Sequence, residues 1–344
     1  MKRYFSLLFL LLPFISIAQQ SYYDDTAVYL TGTELLQELR LKLSVYNENY
    51  TYGDFRDTTK ITDANPEDDS EVLLIYGFND NDGNCTTDIT RSNNDFGGDN
   101  CEYNREHTFP RSLANPPMGS ASNSSNGIVA DPHNLRPSDV QRNGNRGSKK
   151  FNDGTGNSGD VGSGDWYPGD EWKGDVARAM MYMYVRYGEQ CLPSLVGQGP
   201  LQGDTQMLQL FLEWNVEDPV SEVEMQRNDP LEAEYGNRNP FIDNPILATN
   251  IWGGEPAEDF WGELSAPSSE FIEASIFPNP ANTVVQVESN QDITSLKIYN
   301  LLGQVLYNET TSNHKRYKTL DVSNLSSGMY ILQINDASKR LVIK

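Results

Sequence analysis

The chain has 344 residues, with 26 Lys and Arg against 49 Asp and Glu, for a formal net charge of -23. Such an acidic balance favours solubility and excludes indiscriminate adhesion to nucleic acid or anionic lipid as the basis of function. The length exceeds that of one typical domain and predicts two folded units, each able to bury a core.

The first residues, MKRYFSLLFLLLPFISIAQQ, have a basic start at Lys2 and Arg3, an apolar run from Phe5 to Ile17, and small residues at Ser16 and Ala18. This is the pattern of a secretory signal peptide over residues 1–18. The run falls short of the roughly 20 residues a membrane span needs, and no later segment is long and apolar enough, so no stable span is expected. Export permits disulfides. Cys85 and Cys101 flank one loop rich in Asp and Gly and are expected to pair, which leaves Cys191 as a buried thiol.

TGTELLQELRLKLSVY places Leu35, Leu36, Leu39 and Leu43 at helical spacing, with Thr31 or Thr33 near the N-cap. EVLLIYGF reads as a buried strand. NDNDGNCTTDITRSNNDFGGDN reads as loop, and it is not a calcium loop of the EF-hand type, because Phe78 and Ile89 stand where acids are needed. The stretch from Gly154 to Gly174 reads as a long surface loop. DVARAMMYMYVRYG and TQMLQLFLEWNVED read as helices, the first with a packed Met and Tyr face, and Arg178 on it as a structural ion-pair residue. Ser, Pro and Glu near residues 255–275 suggest a linker. Beyond it, short alternating runs separated by Gly, Asn and Ser predict a small antiparallel β-sandwich.

One window contradicts the global charge. From Asn104 to Phe151 there are seven Lys and Arg (Arg105, Arg111, Arg136, Arg142, Arg146, Lys149, Lys150) against three acids, a local net of +4. It contains two of the three histidines, His107 in YNREHTFPRS and His133 in DPHNLRPSDVQRNGNRGSKKF. DPHNL reads as a short strand, and Pro137 suits the first position of a helix running to about Asn143 and stopping at Gly144. Neighbouring side chains of a regular strand face opposite ways, so Glu106 and His107 serve one site only if the backbone is irregular there. On that condition Glu106 and Asn143 would bind a hard divalent cation through oxygen, with His107 kept off the metal as a base.

YNREHTFPRS followed by DPHNLRPSDVQRNGNRGS resembles the endonuclease I family of secreted bacterial nucleases, within the ββα-metal (His-Me finger) group. The similarity extends through KGDVARAMMYMYVRYG, LFLEWNVEDPVSEVEMQRND and GNRNPFIDNP. The resemblance implies an α+β fold, a mixed helical domain around a ββα-metal core over residues 22–254. It also implies a metal-dependent endonuclease acting on DNA and on RNA, with His107 as general base and Glu106 and Asn143 holding Mg²⁺, Mn²⁺ and Ca²⁺ being alternatives. The phosphate-steadying arginine falls on Arg146 first and Arg105 second. Arg136, Arg142, Lys149 and Lys150 are expected to contact substrate phosphates rather than base edges. His133 and Asn134 are expected to support the site from behind. A non-catalytic nucleic-acid-binding protein on the same scaffold is the rival reading.

IFPNPANTVVQVES, LKIYNLLGQVL, LSSGMYILQI and the closing KRLVIK resemble the C-terminal sorting domain of the type IX secretion system. This implies passage across the outer membrane by that machinery, with residues 276–344 as the sorting module. A secreted or surface-held monomer is the resulting expectation.

Overall fold

The computed structural model describes residues 21–162, 164–262, 274–289, 292–300, 304–310, 315–335 and 337–344. The expected signal peptide, most of the expected linker and His314 lie outside the described residues. The chain divides into two compact units, Met1–Leu264 and Ser265–Lys344.

In the first unit, α1 (Gly32–Leu43) buries Leu35, Leu36, Leu39 and Leu43, the four leucines of its apolar stripe. A second helix, α2 (Phe55–Thr62), leads into a three-stranded antiparallel sheet of β1 (Ala64–Asn65), β2 (Asp68–Leu73) and β3 (Thr90–Ser92). Two further strands, β4 (Tyr103–His107) and β5 (Leu135–Asp139), pair antiparallel and are followed by α3 (Val140–Arg146).

The second strand of that pair begins at Leu135, four residues later than DPHNL implied. Asp131 is why: its carboxylate accepts from the His133 N–H, and its carbonyl accepts from the Asn134 N–H, so these residues form a turn. Pro137 consequently lies inside β5 opposite Arg105 rather than opening the helix. The missing N–H falls on the edge of β5 turned away from β4, where the Pro137 carbonyl accepts from the Ile75 N–H, so the pairing with β4 loses no bond. Asp139 is the N-cap instead, accepting from the N–H groups of Gln141 and Arg142. The helix continues past Gly144 and ends at Gly147, whose φ of 55° suits glycine.

The stretch from Gly154 to Gly174 is more than surface loop. It folds a short hairpin of β6 (Gly159–Val161) and β7 (Asp165–Tyr167), and it buries Trp166, Tyr167 and Trp172. The helix α4 (Lys173–Tyr187) is buried from Gly174 to Val185 and forms the spine of the core, packed against α5 (Gln209–Glu217) and α1. A helix without an apolar period along its first half, α6 (Glu222–Tyr235), starts at a capping box of Ser221 and Glu224 and carries Pro230 within it. It is buried largely through polar groups: Glu224 pairs with Arg178 of α4, and Arg227 pairs with Asp63. Cys85 is bonded to Cys101, while Cys191 is a buried thiol that burial pushes up to about 12.

The second unit has a four-stranded and a three-stranded antiparallel sheet. Their inward residues, among them Val285, Val287, Leu296, Ile298, Leu332 and Leu341, form one core. Along Gly328–Ile334, burial alternates at Tyr330, Leu332 and Ile334, the period of two that a sandwich requires.

Candidate active site

A cleft of about 590 Å³ opens along β4, lined by Asn104, Arg105, Glu106 and His107 in succession, together with Asn143 of α3. Tyr52, Arg111, Ser112 and Ser148 complete much of its wall. The β4–β5 register runs unshifted from Tyr103 opposite Asp139 to His107 opposite Leu135, so the strand is regular. The irregular backbone expected from the sequence is not needed. Past Tyr103 the outer edge of β4 is unpaired among the described residues, and a cleft lying along that edge meets side chains from both faces.

Glu106 is buried, and Oε1 accepts from the Tyr76 hydroxyl and from the Arg146 guanidinium, each at 3.0 Å. Oε2 has no such partner among the described residues. Burial pushes the carboxyl up to about 7, with Arg146 and Tyr76 opposing that rise. Asn143 follows the same plan: Nδ2 donates to Asn104 Oδ1 at 2.7 Å and to the Arg105 carbonyl at 3.3 Å, which leaves Oδ1 for the cleft.

His107 Nε2 lies 2.9 Å from the Val129 carbonyl, an acceptor only, so Nε2 carries the ring proton and Nδ1 presents its lone pair. Burial holds the imidazole down at about 4; the Val129 carbonyl opposes this, and the charges of Arg111, Arg105 and Arg146 add to it. At neutral pH the ring is therefore neutral and able to accept a proton. The Tyr52 ring stacks on it at 5.4 Å with 15° between planes. Behind it, Asn134 clamps the next turn of chain: Oδ1 accepts from the Phe109 N–H and Nδ2 donates to the Phe109 carbonyl.

Among the described residues, no group of three or more His, Cys, Asp and Glu is placed to hold a metal ion. One carboxylate oxygen and one amide oxygen facing a wet cleft do fit a hard cation that keeps most of its water.

Two family models match this chain. One, described as Endonuclease I, matches residues 31–246, and the other, a secretion system C-terminal sorting domain, matches residues 275–344. The chain belongs to the endonuclease I family. An extracellular ribonuclease of Bacillus subtilis (strain 168) is 36% identical over 263 residues, covering 72% of this chain and 84% of the relative. An extracellular ribonuclease of Bacillus amyloliquefaciens is 35% identical over 249 residues, covering 68% and 78%. This member of the endonuclease I family is thus a nuclease, secreted or held at the cell surface, with a terminal sorting module.

Within this endonuclease I fold the basic window divides sharply. Arg105 lines the cleft, but Arg146 does not: its side chain is fully buried, and it donates to Glu106, to the carbonyls of His107 and Thr108, and lies against Phe151. Arg105 and Arg111 also donate to internal acceptors but stay open to the cleft, whereas the wholly buried Arg146 guanidinium has no access to a phosphate there and instead braces Glu106. Arg136 is buried between Asp63 and Asp175. Arg142 donates to Ser158 and lies against Phe78 and Trp166. Lys149 reaches Asp160, and Lys150 reaches the Ser194 carbonyl. None of these four lines the cleft. His133 is also away from it, buried with Nε2 on the Asn237 carbonyl and its ring against Tyr182.

Sequence reasoning gave Tyr52 no role and Arg111 only that of a cation in the basic window. Arg111 was countable as a flanking cation of the Glu-His pair, and position alone pointed to it. Tyr52 is 55 residues upstream of His107, and no spacing signalled it.

Proposed function

We propose that this nuclease hydrolyses phosphodiester bonds of both RNA and DNA with little base preference, His107 acting as general base. The observation that carries the reading is the 2.9 Å contact of His107 Nε2 with the Val129 carbonyl, which leaves Nδ1 unprotonated on a ring that lines the same cleft as Glu106 and Asn143. His107 removes a proton from water as its oxygen attacks phosphorus, and the bond to the 3′ oxygen breaks. Arg105 and Arg111, the cations of the cleft wall, hold the phosphate. Glu106 and Asn143 would hold Mg²⁺, with Mn²⁺ or Ca²⁺ as substitutes. When bound, such a cation supplies Lewis-acid stabilisation of charge on the phosphate and the departing oxygen. The names of the two relatives support RNA as a substrate, and phosphate-directed contacts support indifference to the sugar. Recognition of the sorting module by a secretion machinery is part of the same proposal.

The test is cleavage of plasmid DNA and of a matched RNA by the mature chain. Activity should require a divalent metal and stop in EDTA. His107→Ala should lose about 10²- to 10⁴-fold in rate with unchanged thermal unfolding. Full activity in that variant, or retention of nucleic acid without cleavage under every metal tried, would sink the proposal.

A further inference from the structure

From the catalytic histidine a series of alternating rings and cations leads outward. Tyr52 stacks on His107, the Arg105 guanidinium lies 3.8 Å from the Tyr52 ring centre and 5.1 Å from that of Phe96, and the Arg56 guanidinium lies 5.3 Å from the Phe96 ring centre. Phe96 and Arg56 are outside the cleft lining, Phe96 is half-buried and Arg56 is exposed. Among the described residues Arg56 makes no ion pair and no side-chain hydrogen bond. The neighbouring Asp54 carboxylate is turned to the Thr51 N–H and hydroxyl.

Phe96 is held in place. Its flanking residues bond to β4, the Tyr103 N–H donating to the Asp95 carbonyl and the Gly97 N–H to the Tyr103 carbonyl, and its ring meets Tyr103 edge-on at 5.3 Å. The disulfide from Cys85 to Cys101 closes the loop that carries it. A half-exposed ring with two guanidinium groups within 5.3 Å of its centre, in a chain of charge -23, is placed for a ligand that offers π-faces and phosphates together.

We propose that Phe96 and Arg56 form an outer subsite for single-stranded nucleic acid. In it an unstacked base of a nucleotide beyond those that flank the scissile bond lies on Phe96 while its phosphate meets Arg56. Base stacking on aromatic rings tolerates any base, and a cation beside each ring tracks the backbone. The subsite rests on the proposal that cleavage occurs at His107, since it is reached from that residue.

The experiment measures binding of a fluorescein-labelled 12-nucleotide oligothymidylate to the full mature chain by anisotropy in EDTA, and cleavage of single-stranded oligonucleotides of increasing length with Mg²⁺. Phe96→Ala should weaken oligothymidylate binding about tenfold, and Phe96→Trp should restore it. Arg56→Ala, at an exposed position where folding is safe, should weaken binding and reduce by about one the slope of log affinity against log salt. In both variants the deficit in kcat/KM should grow with substrate length, carried by KM. A deficit equal at all lengths, or a parental salt slope in Arg56→Ala, overturns the subsite. A parent chain that binds but never cleaves overturns the proposed function instead.

Discussion

Replacing Arg146 with methionine separates a structural brace from a phosphate ligand. The guanidinium is fully buried and donates to Glu106 Oε1 at 3.0 Å, the His107 carbonyl at 3.1 Å and the Thr108 carbonyl at 2.8 Å. Removing one partner of a buried ion pair destabilises by about 3–5 kcal/mol, because the remaining charge and acceptors stay buried. In a unit of this size each kcal/mol moves the melting temperature by about 2–4 °C, so a fall of roughly 10 °C is expected. Tryptophan fluorescence suits the measurement, because all five tryptophans lie in the first unit and report its unfolding alone. Arg111→Met in the cleft wall should change the melting temperature by no more than about 2 °C while impairing cleavage. If Arg146→Met melts like the parent yet has lost cleavage, Arg146 is a phosphate ligand and the brace is wrong.

His133 makes the fold acid-sensitive. Its pKa is lowered to about 4, chiefly by burial, with the Asp131 charge opposing the fall, so the neutral ring is the folded form. The contribution is fully present above the ordinary histidine pKa near 6.5 and is lost as pH falls through about 4. It amounts to roughly 3 kcal/mol at most. Urea unfolding at pH 7 and pH 4 should show a smaller loss in His133→Gln than in the parent, and identical losses would refute the assignment. Replacing both Cys85 and Cys101 with serine opens a loop of sequence separation 16 and should cost about 3 kcal/mol. The same variant should bind oligothymidylate more weakly, since the loop carries Phe96; parental binding would separate the disulfide from the subsite.

The parts of this molecule that were legible in the sequence are those whose signal is local. Leu35, Leu36, Leu39 and Leu43 announce their helix by spacing, and the inward residues of the C-terminal strands do so by alternation. Glu106, His107 and Asn143 were readable as types required by one chemistry, and the structure brings all three to one cleft. What was not legible depends on partners distant in the chain. Arg136, Arg142 and Arg146 look substrate-facing in a basic window. Their partners, Asp63, Asp175, Ser158 and Glu106, turn all three inward. The α6 helix escaped because the first part of its buried face is made of Glu224, Arg227 and Asn228, with Leu231 and Tyr235 following only near its end, and because Pro230 argues against a helix. The start of β5 turned on Asp131, whose carboxylate and carbonyl accept from the His133 and Asn134 N–H groups and outweigh the extended look of DPHNL.

Glu106, His107 and Asn143 are all two-ended groups, and in each the scaffold grips one end: Oε1 by Tyr76 and Arg146, Nε2 by Val129, Nδ2 by Asn104 and the Arg105 carbonyl. The free ends are thereby aimed before anything arrives. On the proposed metal-dependent mechanism, loading a cation would need little rearrangement of these side chains, so a metal could leave and return to an exported protein while the arrangement of the cleft survives in its absence.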